Sequence, residues 1–181
     1  MIRDGTGNGN LAKVNSDKML NVGAMTESRE HYISHKEGQG YKAYFTVTPT
    51  GADDCFAYIK NDSEIDMIIS RIKLYVASNE IIIIQKNDSG TPSGGTAITP
   101  QNTNLGSGHQ ADGTFEQGND ITGLSDGNSL DRIAVSADGA SHTYEFYQSI
   151  VIPKNRTITF YAVTGGINIH LYVSFNYHKQ E

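Results

Sequence analysis

The sequence predicts an all-β protein: an antiparallel β-sandwich of jelly-roll type, entered through an extended N-terminal arm. Three observations carry that expectation. Residues 167–178 alternate without a break, with Ile167, Ile169, Leu171, Val173, Phe175 and Tyr177 on one face and Asn168, His170, Tyr172, Ser174, Asn176 and His178 on the other. A period of two over that length fits a half-buried strand and no helix. Similar strand-like runs recur along the chain between Gly, Pro and Asn turn signals, and no convincing helical period competes with them, which is the layout of a sandwich built from Greek keys.

In chain order, residues 1–40 read as an assembly arm and residues 41–181 as the sandwich. The arm carries only scattered apolar side chains over residues 2–22: Ile2, Leu11, Val14, Met19, Leu20 and Val22. Ordering that much backbone costs more than burying so few side chains returns, so the arm is expected to dock on something else. Residues 12–14 and 19–22, joined by Asn15-Ser16-Asp17-Lys18, have the makings of a small hairpin that adds to another subunit's sheet edge.

Strands are predicted at residues 41–48, 55–60 and 80–86 in the first half. Between them, Ser63-Glu64-Ile65-Asp66 resembles a helix capping box, and Ile65, Ile68, Ile69, Ile72 and Val76 recur at helical spacing. Yet Ile68, Ser70, Ile72, Leu74 and Val76 also alternate with Arg71, Lys73 and Tyr75, and the abundance of β-branched residues favours a strand. Ile81-Ile82-Ile83-Ile84 is apolar on both faces, so a central strand or a subunit contact should cover it. Ile82 and Ile84, with His170 and Tyr172 of the last strand, are therefore the candidates for a subunit or ligand face.

Residues 87–129 hold nine glycines and five acidic residues but no Lys or Arg, a composition that predicts a projecting excursion with short strands near residues 97–99 and 120–122. Strands resume at residues 130–137, 143–152 (closed by Pro153) and 157–163. Gly165-Gly166 then reads as a hairpin turn into the last strand.

A formal net charge of −6 argues against a generic nucleic-acid binder, which would show a basic stripe. One cysteine, Cys55, excludes an intrachain disulfide and a Cys-based zinc cluster, and its strand-like setting reads as a buried thiol. No run approaches the roughly twenty apolar residues of a membrane-spanning helix. The N-terminus lacks the plan of a secretion signal, so a soluble product of a cytoplasm is expected.

Catalytic signatures are missing as well: no phosphate loop, no HExxH, no GxSxG elbow. Asp4, Thr6, Asn8 and Gly9 open like a calcium loop, but its twelfth position is Asn15 where a bidentate Glu is needed. His31 and His35 sit four apart without a helical pattern around them, and Asp53-Asp54 and the pair Asp112 and Glu116 fall in turn-like segments. Neither enzyme activity, nor cofactor, nor metal is expected. Tyr147, Tyr161, His170 and Tyr172 offer rings of the kind on which a binding module stacks a sugar.

The leader Ile2-Arg3-Asp4-Gly5-Thr6-Gly7-Asn8-Gly9-Asn10-Leu11-Ala12-Lys13-Val14 resembles the I-[RK]-D-G-T-G-x-G-x-x-A-K-V start of many virion structural proteins of tailed bacteriophages. Tyr58-Ile59-Lys60-Asn61 ahead of an aliphatic strand and Ile152-Pro153-Lys154-Asn155 before the closing strands are similar in character. The close likeness spans about twenty residues, and Lys18-Met19-Leu20 stands where Arg-Leu is more typical. The resemblance implies a non-enzymatic virion protein made in a host bacterial cytoplasm, of the capsid-decoration or head-fibre-like group. It further implies a homotrimer whose partners are its own copies and the major capsid or other virion proteins, without nucleic acid or membrane. A tail or baseplate module that adsorbs to host-surface glycan is the alternative.

Overall fold

The computed structural model describes residues 29–178, with the leader residues Ile2, Leu11, Val14, Met19, Leu20 and Val22 and the calcium-like run outside them. The chain enters as a single helical turn, α1 (Arg29–Tyr32), that widens into a π-helical turn over Ile33–Glu37. Gly38 ends it in the left-handed region at φ 63°, with its N–H donating to the Ile33 carbonyl. No helix was expected here. Its one buried anchor is Ile33, too little for a periodic signal.

Four strands follow: β1 (Gly40–Val47), β2 (Asp54–Asn61), β3 (Asp66–Val76) and β4 (Glu80–Lys86). The glycine-rich excursion contributes five short ones: β5 (Ser89–Ser93), β6 (Thr96–Ala97), β7 (Gln101–Asn102), β8 (Gly113–Gln117) and β9 (Thr122–Ser125). Four more complete the fold: β10 (Asn128–Val135), β11 (His142–Ile152), β12 (Thr157–Ala162) and β13 (Ile169–His178). One sheet runs β11-β3-β13-β1-β7 and the other β10-β4-β12-β2-β8-β6, every recorded ladder antiparallel. With the short strands set aside, consecutive long strands alternate between sheets except at the β4–β10 connection. That is the two-Greek-key order of a jelly roll.

The core lies between the sheets, where inward positions of both meet: Phe45, Leu74, Val173 and Leu171 from one, Phe56, Ile59, Ile82, Ile84 and Phe160 from the other, all without exposure. Ile82 and Ile84 are thus core residues of a central strand, flanked by β10 and β12, and present no face to a partner. The outward members of the run, Ile81 and Ile83, are half-covered.

Strand β3 is a strand as expected, but its inward residues are Met67, Ile69, Ile72, Leu74 and Val76. Ladder partners skip from Arg71–Ser174 to Ile69–Phe175, so Ser70 is an extra, bulged residue. The bulge turns Ile69 and Ile72 to the same side, which is why their spacing imitates a helix. The capping-box sequence ahead of it makes a turn instead. Asn61 Oδ1 accepts from Ser63 N at 3.0 Å, Ser63 Oγ accepts from Ile65 N at 3.1 Å, and the fully buried Asn61 amide donates to the carbonyls of Ile65 and Ile152.

Two expectations are corrected here. Gly165-Gly166 is no hairpin, because β12 and β13 lie in opposite sheets. The glycines carry the chain across the end of the sandwich, and Gly166 N donates to the Pro49 carbonyl at 2.7 Å. Buried Glu80 organises the crossing, its carboxylate accepting from the backbone N–H groups of Ile81, Thr164 and Gly165.

Nor does the excursion simply project. Strands β8 and β6 extend one sheet beyond β2, β7 extends the other beyond β1, and buried tyrosines fasten the link: Tyr41 Oη donates to Gln110 O at 3.1 Å and Tyr177 Oη to Asp112 O at 2.8 Å. Paired β5 and β9 lie over the outer face of the β2–β12 region. There Ile121 and Leu124 cover Cys55, Tyr58 and Tyr161 in a second small core. A polar composition can do this because its few apolar residues meet an apolar outer face on β2 that a period-two reading assigns to solvent.

Cys55 is buried, as expected, and burial pushes its thiol up to about 12. Asp88 sits in the same layer, receiving hydrogen bonds from Thr159 Oγ1 and Tyr161 Oη. Burial outweighs those donors and raises its carboxyl above the ordinary carboxylate value. The fold therefore favours neutral Asp88: the associated stability is present below the ordinary carboxylate range and lost as pH rises through the raised value. Asp88→Asn should gain on the wild type in melting temperature as pH increases between about pH 4 and pH 7. A difference that stays constant over that range would refute the assignment.

Candidate functional site

The outer face of the five-stranded sheet is ordered into cross-strand rows by the ladder register. One row runs Tyr44–Tyr172–Lys73–Thr143, the next Lys42–Ser174–Arg71–Glu145, and on the other side Thr46–His170–Tyr75. Successive rows are two residues apart along each strand, about 7 Å. His170 and Tyr172, the two candidates taken from the last strand, lie at the centre of this face.

Directly opposed residues on neighbouring strands are close enough for rings to stack. Tyr44 and Tyr172 do so at 4.5 Å between centroids, with planes 22° apart. The His170 ring lies 5.9 Å from Tyr44, and Tyr75 meets His170 edge-on at 5.4 Å. Tyr44 Oη lies 2.5 Å from His170 Nδ1, and Thr46 Oγ1 is 3.2 Å from the same nitrogen. In the neutral Nε2–H tautomer, Nδ1 accepts from both hydroxyls. Partial burial and the neighbouring Tyr44 hydroxyl hold the Tyr172 phenol above its ordinary value. Despite these contacts Tyr44 remains 45 % and Tyr172 37 % exposed; Tyr44 stacks with both Tyr172 and His170, whereas Tyr172 keeps the face that Tyr44 does not cover.

Cations lie beside the aromatic rows on the groove side. Arg71 pairs through Nε with Glu145 Oε1 at 3.4 Å, whereas Lys42 and Lys73, both exposed, have no ion-pair partner among the described residues. Three cations and one carboxylate thus share these rows, with a second carboxylate, Asp66, opposite His178 at the end of the same face, on a chain whose formal net charge is −6.

Beside these rows, under the helical turn, lies a groove of about 440 Å³ lined by Ser34, Lys42, Arg71, Ser174 and Asn176 among others. The turn is held over it by the β7 loop: Ser34 Oγ meets Thr103 Oγ1 at 2.5 Å, and Asn104 Nδ2 and Asn102 Nδ2 donate to the carbonyls of His35 and Gly38. Asn176 is only 7 % exposed, and its Oδ1 has no hydrogen-bond partner among the described residues. Buried acceptors are nearly always satisfied, so this one is unusual.

The other sequence candidates lie apart. Tyr161 is on the opposite sheet, facing Asp88, and Tyr147 is outside the residues whose side chains are described. His31 and His35 stack at 5.4 Å on the helical turn. No group of three or more His, Cys, Asp or Glu suited to a metal occurs among the described residues. Asp54 caps a turn, accepting from Thr50 Oγ1 and Gly51 N. Asp112 receives the Tyr177 hydroxyl through its backbone carbonyl.

Sequence reasoning missed Tyr44, Tyr75, Lys42, Lys73 and Arg71. Their signal is the same alternation that exposed His170 and Tyr172, read on β1 and β3. Only the order β3-β13-β1 makes them neighbours. Comparison with known proteins gives no matching family model and no matching curated protein.

Proposed function

We propose that the chain is a non-enzymatic structural protein of a tailed-bacteriophage virion. In this reading it is a capsid-associated decoration or head-fibre-like protein, homotrimeric and docked through its N-terminal arm on the major capsid protein or another virion protein. The leader resemblance motivates the reading. The observation that supports it is that the eight long strands among the described residues, between Gly40 and His178, complete a jelly-roll order, as a body that carries a separate arm requires. The body itself begins earlier than the arm boundary drawn at residue 40, since Ile33 is buried against it and Gln39 O accepts from Tyr177 N.

Deleting residues 1–22 should leave a cooperatively folding body that no longer attaches to particles, measured by co-sedimentation with virions that lack the protein. Attachment retained by the truncated chain would overturn the docking role.

A second reading, a tail or baseplate module that adsorbs to host glycan, is favoured by one specific observation. The Tyr44–Tyr172 pair, with cations beside it on the groove side, forms a solvent-facing surface on which Tyr172 offers a ring face of the kind a sugar stacks on.

A further inference from the structure

We propose that this outer face and the adjoining groove bind an acidic saccharide, with Tyr172 as the stacking platform and Lys73 and Lys42 as carboxylate partners. The proposal rests on the adsorption reading and names the ligand class that reading leaves open.

Each part of the face addresses one part of such a ligand. A pyranose has an apolar C–H face that packs on an aromatic ring, and Tyr172 presents the face opposite Tyr44. That ring is oriented before any ligand arrives. It stacks on Tyr44, and Tyr44 is tied in turn to His170, so little side-chain freedom remains to be lost on binding. Lys73 is the next residue of the same row, placed to meet an anionic substituent of a sugar lying against Tyr172. Lys42 and Arg71 stand one row further toward the groove.

Two carboxylates on the same face repel an anion locally: Asp66, at the far end of β3, and Glu145, which also offsets part of the Arg71 charge through their ion pair. Lys42 and Lys73, without an ion-pair partner among the described residues, therefore carry the attraction. A neutral glycan would leave them unused, and a nucleic acid would require a longer basic track than three cations on a net-negative chain provide.

The groove supplies the second, independent observation. Its lining includes the polar side chains of Ser34, Lys42, Arg71 and Ser174, which offer hydroxyl and cationic partners to a sugar ring. A saccharide of two or more units could place one ring on Tyr172 and a neighbour in the groove, because Ser174 lies between Tyr172 and Asn176 on the same side of β13.

The test is binding of the full-length chain to an array of uronate- and sialate-bearing oligosaccharides, their neutral counterparts and a single-stranded oligothymidylate, followed by calorimetry on the best ligand. Expected is at least a tenfold preference for acidic over neutral saccharides, weakening with added salt. Tyr172→Ala should lower affinity tenfold or more, and Lys73→Gln with Lys42→Gln should abolish the acidic preference while leaving the melting temperature unchanged. Equal binding of neutral and acidic sugars would overturn the acidic assignment but keep the adsorption reading. Tighter binding of oligothymidylate would overturn the saccharide class. No binding to any probe would remove the inference and the adsorption reading together, leaving the docking role to its own test.

Discussion

Replacing Gly165 with alanine should destabilise the protein by roughly 2–5 kcal/mol, from the left-handed backbone and the overlap taken together. Gly165 has φ 73°, and a Cβ added there would lie 2.0 Å from the Gly51 carbonyl oxygen, with the Gly51 carbon 2.4 Å away. Both obstacles are backbone, which cannot swing aside as a side chain would. Relief requires moving the β1–β2 loop, which the neighbouring bond from Gly166 N to Pro49 O pins in place. Equilibrium urea unfolding would measure the loss. Gly166→Ala is the internal control: it shares the left-handed φ but meets nothing within 4 Å, so it should show only the conformational part. Equal effects at the two positions would mean that the close approach contributes nothing.

Asn61→Ala should be comparably damaging, at about 3–5 kcal/mol, because it strands several buried groups at once. The Asn61 amide serves the carbonyls of Ile65 and Ile152 at 2.9 and 2.8 Å, and its Oδ1 serves Ser63 N, all from a side chain with no exposure. Removal deprives both carbonyls of this donor, loosens the turn into β3 and frees the end of β11. Asn61→Asp keeps an acceptor for Ser63 but offers its carboxylate to two carbonyl oxygens, so it should rescue little. Thermal unfolding of both variants decides the matter, and a loss under about 1 kcal/mol for alanine would show that water replaces the amide.

The long strands were legible because each carries its own evidence. Alternation in residues 167–178 marks inside and outside without reference to any other strand, and Ile169, Leu171, Val173, Phe175 and Tyr177 are all buried. The segment after Ser63 was harder to read because a bulge at Ser70 shifts its phase, and a bulge exists only relative to a partner strand. The excursion misled for a different reason. Its apolar residues are few, and Ile121 and Leu124 acquire meaning only when Cys55, Tyr58 and Tyr161 lie beneath them. Half of the candidate face was likewise visible. His170 and Tyr172 stand out on their own strand, whereas Tyr44 and Lys73 join them through the register.

What the amino-acid sequence by itself determined is the all-β class, the alternation of most of the long strands and the burial of Cys55. These follow from side-chain periodicity and β-branched content, which are local properties. Only the tertiary structure decided that Gly165-Gly166 crosses between sheets, that Ile82 and Ile84 belong to the core, and that Tyr44, Tyr172, Lys73 and Asn176 share one surface. Those facts depend on which strands are neighbours, and strand pairing is set by long-range hydrogen bonds and packing that no short window of sequence contains.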